Sequence, residues 1–156
     1  MGKTAIYPGS FDPFTNGHLD IVRKASEIFD RVWIVIGVNS DKRRSFPADR
    51  MAEAIAQTLE NQNISNCEVV IWEGLVAEFA RLQGTEYMIR GLRNNMDYNY
   101  EENVASVNKL INPELEYVYF RSNNVAVSST MVKELHGYGK DVSLYVPAEV
   151  LPLLEQ

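Results

Sequence analysis

Apolar positions along the chain fall into two kinds of run. Short, almost unbroken stretches rich in β-branched and aromatic residues occur at Thr4 to Tyr7 (TAIY), Val32 to Val38 (VWIVIGV), Glu68 to Trp72 (EVVIW), Glu86 to Ile89 (EYMI) and Glu116 to Phe120 (EYVYF). They read as strands, and the unbroken second run is what a central parallel strand buried on both faces requires. Between them apolar residues recur at helical spacing. Leu19, Val22, Ala25 and Phe29 share one face, with Asp20, Arg23, Lys24 and Glu27 largely on the other. Met51, Ile55 and Leu59 mark a helix over Arg50 to Glu60, and Leu75 to Leu82 predicts a short one. Asp97 to Ile111, carrying Tyr100, Val104, Val107 and Ile111, predicts a longer one. Ser128 to His136 has a hydroxyl cap, apolar Met131, Val132 and Leu135, and a glycine stop at Gly137. From Ser143 a turn and a final helix beginning near Pro147 are expected.

Strands and helices alternating in this rhythm predict an α/β fold: a single doubly wound, Rossmann-like domain over residues 1–156, with a five-stranded parallel sheet. In such sheets ligands bind beyond the carboxyl ends of the strands, where strand order reverses. The loops that follow strands are therefore where chemistry is sought.

Composition narrows the classes. At 156 residues, 46% hydrophobic and 23% charged, the chain has the profile of an ordinary globular protein. Cys67 is the one cysteine, so neither an internal disulfide nor a cysteine zinc site is expected, and a reducing cytoplasm is the expected compartment. The N-terminus reaches proline and glycine before any signal-like apolar core, and no run approaches the ~20 apolar residues that span a bilayer. A membrane partner is not expected. A net charge of −6 disfavours nonspecific nucleic-acid binding, which depends on many phosphate-neutralising cations.

The loop after the first strand, YPGSFDPFTNGHLD, holds Pro8, Gly9, Pro13, Gly17 and His18. Its glycines permit close backbone approach, and the helix that follows offers N–H groups to an anion. His18 either points into that crevice or caps and packs locally. After the second strand, NSDKRRSF concentrates Lys42, Arg43 and Arg44, either on the ligand side or as a solvated surface loop. After the fourth, IRGLR presents Arg90 and Arg93 around Gly91 and Leu92, suited to phosphate or to surface ion pairs. VSST (Val127, Ser128, Ser129, Thr130) opens a helix with more hydroxyls than a cap requires.

The first loop lacks the usual dinucleotide and P-loop fingerprints. With Ser10, Phe11, Asp12, Gly17 and His18 it resembles the [ST]FDxxxxGH signature of the nucleotidyltransferase superfamily, and Thr15-Asn16-Gly17-His18 is similar to the variant found in phosphopantetheine adenylyltransferases. NSDKRRSF, IRGLRNNMDYNYE and VSSTMVKE extend that resemblance from end to end. It implies adenylyl transfer from ATP to 4'-phosphopantetheine, giving dephospho-coenzyme A and pyrophosphate. It also implies Mg2+ accompanying ATP, a homohexamer and feedback by coenzyme A. On the matching positions, Ser10, Phe11 and His18 meet ATP phosphates, as do Val127 to Thr130. Gly91, Leu92 and Arg93 contact ATP, and Glu101 lies near the nucleotide. Lys42 binds the acceptor phosphate and stabilises the transition state, Arg90 holds the acceptor, and the backbone at Leu75 and Val76 meets the pantetheine arm. Ser10 stands where the family uses Thr and keeps the hydroxyl. Asn124, Val125 and Ala126 depart from the family's Trp-Ser-Phe.

A phosphate monoester has its second pKa at about 6, so at neutral pH the nucleophile is already ionised and no general base is needed. The barrier is electrostatic, and cations and hydrogen-bond donors are the required equipment. His18, Lys42, Ser10 and Arg90 are the expected catalytic set. No protein metal site is expected, since magnesium binds largely through phosphates and water. The rival readings are a nucleotidyltransferase with a nicotinamide mononucleotide or glycerol phosphate acceptor, a noncatalytic nucleotide sensor and, against the charge balance, a nucleic-acid module.

Overall fold

The period-two alternation within each strand decides the layering. In the computed structural model, which describes residues 2–39, 41, 43–92, 105–123 and 126–155, the elements run β1 (Thr4–Gly9), α1 (Asn16–Ile28), β2 (Arg31–Val38), α2 (Ala48–Asn61), β3 (Cys67–Glu73), α3 (Val76–Gln83) and β4 (Tyr87–Leu92). Helical residues 105–111 (α4), β5 (Glu116–Arg121), α5 (Ser129–Gly137) and α6 (Leu151–Leu154) follow. Ala5, Tyr7, Val32, Ile34, Ile36 and Ile89 point to one face and pack with Val22 of α1, Met51 and Ile55 of α2 and Val132 of α5. Ile6, Val35 and Met88, their sequence neighbours, point to the other face and meet Ala77, Phe79 and Ala80 of α3, with Ile111 of α4 against them. Each central strand is buried twice, which is why its apolar run is unbroken.

All strand pairs are parallel, in the order β3-β2-β1-β4-β5. The chain steps outward from β1 to β3, then returns through α3 to β4 on the other side of β1. Strand order therefore reverses between β1 and β4, where a ligand crevice is expected. Local register opens it. β1 pairs with β2 through Gly9↔Ile36 and β4 with β5 through Leu92↔Arg121, but β1 pairs with β4 only at Ala5↔Tyr87 and Ile6↔Met88. Pro8 has no N–H to continue a ladder. Its carbonyl instead accepts Nη1 of Arg90 at 2.7 Å.

Helix ends follow their local chemistry. α2, α3 and α5 close in Schellman turns, with Asn63, Gly84 and Gly139 at positive φ (59°, 67° and 74°). The expected stop at Gly137 is therefore two residues early: α5 runs through Gly137, and Lys140 N returns to Leu135 O at 2.9 Å only after Gly139 has turned the chain. The tail also differs from expectation. Pro147 opens a turn, closed by Val150 N to Pro147 O at 3.0 Å, and α6 begins at Leu151, with Pro152 in its first turn. That tail clamps the start of α1, since Tyr145 O accepts Asn16 N at 2.8 Å and Leu144 O accepts Asn16 Nδ2 at 3.0 Å. No helix among the described residues is long and apolar enough to cross a membrane.

Candidate active site between the β1 and β4 strand ends

Where β1 and β4 part, a cleft of about 290 Å³ opens, walled by the β1–α1 loop, the end of β4 and the start of α5. Ser10, Phe11, His18, Arg90, Gly91, Leu92, Val127, Ser128 and Ser129 all line it. The N-terminal turns of α1 and α5 both border it, and no carboxylate is among its described lining residues. Two helix N-termini, a guanidinium and several hydroxyls are the groups that suit an anion. Val76 and Thr130 are not brought into it. Val76 starts α3 and packs on the opposite core face, while Thr130 is exposed on α5. Lys42, Arg93 and Glu101 lie outside the described residues.

His18 occupies the third position of α1 and completes a capping box with Thr15. Thr15 N–H donates to His18 Nδ1 at 2.9 Å, and Thr15 Oγ1 accepts His18 N at 3.4 Å. Because Nδ1 accepts, a neutral ring carries its proton on Nε2. Both alternatives for His18 are thus realised: it caps locally through one nitrogen and lines the cleft. Its ring packs against Phe11 and Phe14, with centroids at 5.0 and 5.5 Å.

Phe11 has φ of +46°, a strained left-handed conformation for an aromatic residue, and the residue is 2% exposed. That ring explains Gly9, where an added Cβ would lie 3.0 to 3.2 Å from its atoms. The same addition at Gly91 meets Ile21 at an ordinary 3.6 Å. Gly9→Ala is expected to cost about 1–3 kcal/mol in thermal denaturation, because the enclosed Phe11 ring has nowhere to move.

The serines divide their work. Ser128 Oγ caps α5 by accepting Met131 N at 3.1 Å, and Ser129 Oγ donates to Pro13 O at 2.7 Å, tying α5 to the first loop. Ser122 also lines the cleft, a position the sequence pattern did not single out. It is held from α1: Asp20 Oδ2 accepts Ser122 Oγ at 3.1 Å and Asn123 N at 2.5 Å, while Lys24 donates to Asn123 Oδ1 at 3.3 Å. Burial pushes the Asp20 carboxyl up, but the Asn123 and Ser122 hydrogen bonds and the Lys24 charge together bring it below its ordinary value. A lowered carboxyl contributes stability that is present above its unfolded value and lost as pH falls through its folded one. The gap in melting temperature between wild type and Asp20→Asn should therefore be widest at neutral pH and close below about pH 4; a gap independent of pH would contradict this.

Of the basic run after β2, Arg44 is no solvated charge. Its guanidinium donates to Ser10 O at 2.5 Å, Phe11 O at 3.2 Å and Phe46 O at 2.9 Å, and faces Asp12 at 3.7 Å. Asp12, itself buried, accepts Ser45 N and Phe46 N at 2.8 Å each and has Lys133 at 3.8 Å. Sequence pattern did not separate this hub from the surface charges around it. Cys67 is half-buried at the start of β3, and burial raises its thiol to about 11, keeping it protonated and unreactive.

The Cytidylyltransferase-like family matches residues 6–135, which include every described lining residue of the cleft. A phosphopantetheine adenylyltransferase of Cytophaga hutchinsonii is 43% identical over 152 residues, covering 96% of this chain and 100% of that protein. One from Vesicomyosocius okutanii is 37% identical over 157 residues, covering 99% and 98%. This chain belongs to the phosphopantetheine adenylyltransferase family. A solved structure from Vibrio parahaemolyticus, described as a nicotinate-nucleotide adenylyltransferase, aligns with a TM-score of 0.73 at 18% identity, covering 99% of this chain and 93% of that one. At that identity the likeness speaks for the fold alone. Within the family's fold, the TNGH segment is the stretch where Thr15 caps, Asn16 docks the tail, and Gly17 and His18 border the cleft.

Proposed function

We propose that the cleft between β1 and β4 holds ATP with its phosphates against Ser10, Phe11, His18 and the two helix N-termini, and takes the acceptor phosphate from the Arg90 side. The chain is a nucleotidyltransferase of coenzyme A biosynthesis. It transfers the adenylyl group of ATP to 4'-phosphopantetheine, releasing dephospho-coenzyme A and pyrophosphate. The observation that carries the site proposal is the convergence of the α1 and α5 N-termini and Arg90 on one cleft at the strand-order reversal, with no carboxylate among its described lining residues.

The acceptor phosphate attacks the α-phosphorus in line as an already ionised oxyanion. One P–O bond forms and the bond to pyrophosphate breaks, so no side chain need accept a proton. His18 Nε2–H and Ser10 donate to phosphate oxygens as charge builds, with the helix N-termini adding partial positive charge. Arg90, steadied on Pro8 O, presents its planar fork to the acceptor. Lys42 bridges nucleophile and transferring group, Gly91, Leu92 and Arg93 contact ATP, and Glu101 lies near the nucleotide. Val127 to Ser129 meet phosphates, while Thr130 and the Leu75–Val76 backbone stand outside the described cleft lining. These assignments follow the family motif.

Magnesium would enter with ATP, held largely by its phosphates and water as the ion's preference for few protein ligands favours, and would offset phosphate charge. Among the described residues no group of three His, Cys, Asp or Glu side chains could hold a metal ion. The same resemblance supports a homohexamer, feedback by coenzyme A and work in the cytoplasm.

The test is to incubate the protein with ATP, magnesium and a panel of acceptors, namely 4'-phosphopantetheine, nicotinate and nicotinamide mononucleotides and glycerol phosphate. The adenylylated product is then identified by mass spectrometry. Dephospho-coenzyme A alone is expected. A product from a mononucleotide, with none from 4'-phosphopantetheine, would replace the acceptor.

A further inference from the structure

Ser10 and Phe11 line the cleft where the backbone is least comfortable, with Phe11 at φ +46°. Such a conformation persists only when its surroundings over-determine it. Packing restrains one side, since the Phe11 ring is enclosed by Tyr7, Phe14 and His18. The other restraint is Arg44. Its guanidinium donates to the Ser10, Phe11 and Phe46 carbonyls, and the first two carbonyls flank the strained residue. The side chain is 17% exposed, and the buried Asp12 carboxylate that compensates its charge lies in the same loop. Burial lowers the guanidinium from its ordinary value, and the Asp12 charge opposes that.

We propose that Arg44 is a positioning residue for the phosphate end of the cleft: it holds the Ser10–Phe11 turn in its strained form by bridging two successive carbonyls to the segment after β2. The inference rests on the reading that this cleft takes the ATP phosphates. A lysine cannot reproduce the bridge, because a point charge can pair with Asp12 but cannot span three carbonyls in one plane.

Two measurements on the full-length protein test it: amide hydrogen exchange across residues 9–15 without ligand, and isothermal titration with ATP. Arg44→Ala and Arg44→Lys should both speed exchange of this segment by about tenfold and weaken ATP binding by about tenfold, while exchange in β3 and β5 stays as in wild type. Arg44→Lys should recover most of the melting temperature lost in Arg44→Ala, separating charge compensation from the bridge. Lys109→Ala, at a surface ion pair with Glu116, serves as the control and should change neither readout. Wild-type exchange in Arg44→Ala overturns the proposal whether or not ATP binds. Faster exchange with unaltered ATP affinity overturns the link to the site, and so does full rescue of affinity by lysine. Failure of the wild-type protein to bind ATP counts against the functional reading, and the exchange data still decide whether Arg44 holds the turn.

Discussion

Replacing His18 with alanine should reduce turnover by about 10²- to 10³-fold in a pyrophosphate-release assay, the loss typical of removing one transition-state donor. Stability should fall by only about 1 kcal/mol, because the capping box loses one partner while Thr15 Oγ1 still caps α1. ATP affinity should change far less than turnover, since the His18 contact strengthens as negative charge develops. The geometry makes this specific. With Nδ1 accepting Thr15 N–H, a neutral imidazole would donate through Nε2, and the proposed role needs no change in its protonation during the reaction. Turnover within about threefold of wild type would remove His18 from the mechanism.

The second large effect is on stability. Asp12→Ala removes the acceptor for Ser45 N and Phe46 N and the counter-charge of Arg44 and Lys133. Breaking a buried pair from one side strands the other charge and costs about 3–5 kcal/mol. The lower end applies here, because the Lys133 side chain is 39% exposed and can turn to water. A loss of about 3 kcal/mol corresponds to a fall in melting temperature of roughly 6–12 °C for a chain of this size. Asp12→Asn should fall between, since its NH2 group replaces one of the two oxygens that accept Ser45 N and Phe46 N and cannot accept in its place. A shift below about 2 °C would mean that the Asp12 contacts are solvated in solution.

Both predictions concern residues of one loop, and they differ in how readable they were. The loop's place after the first strand, its glycines and His18 were legible because strand ends in a parallel α/β fold are where ligands lie. The strands were legible because burial on both faces leaves no polar interruption, and the helices because each buries one stripe. What pattern could not reach depends on partners far along the chain. Arg44 sits beside exposed Arg43 and reads as another surface charge, until Asp12 and the carbonyls of Ser10 and Phe11, more than thirty residues earlier, are seen to claim it. The parting of β1 from β4 needs Pro8 and Arg90 to be neighbours. Asp20, an ordinary polar-face residue of α1 by spacing, grips Ser122 and Asn123 across the cleft wall. At α5 the error was local. Gly137 and Gly139 are both candidate stops, and only the turn that returns Lys140 N to Leu135 O selects the second.

The central claim is a direct, in-line adenylyl transfer to 4'-phosphopantetheine, driven by charge stabilisation without a covalent enzyme intermediate. Its most direct test is the stereochemical course of the reaction with ATP made chiral at phosphorus by an α-thiophosphate. The account predicts a dephospho-coenzyme A analogue inverted at that phosphorus; retention would reveal an adenylylated side chain and contradict it.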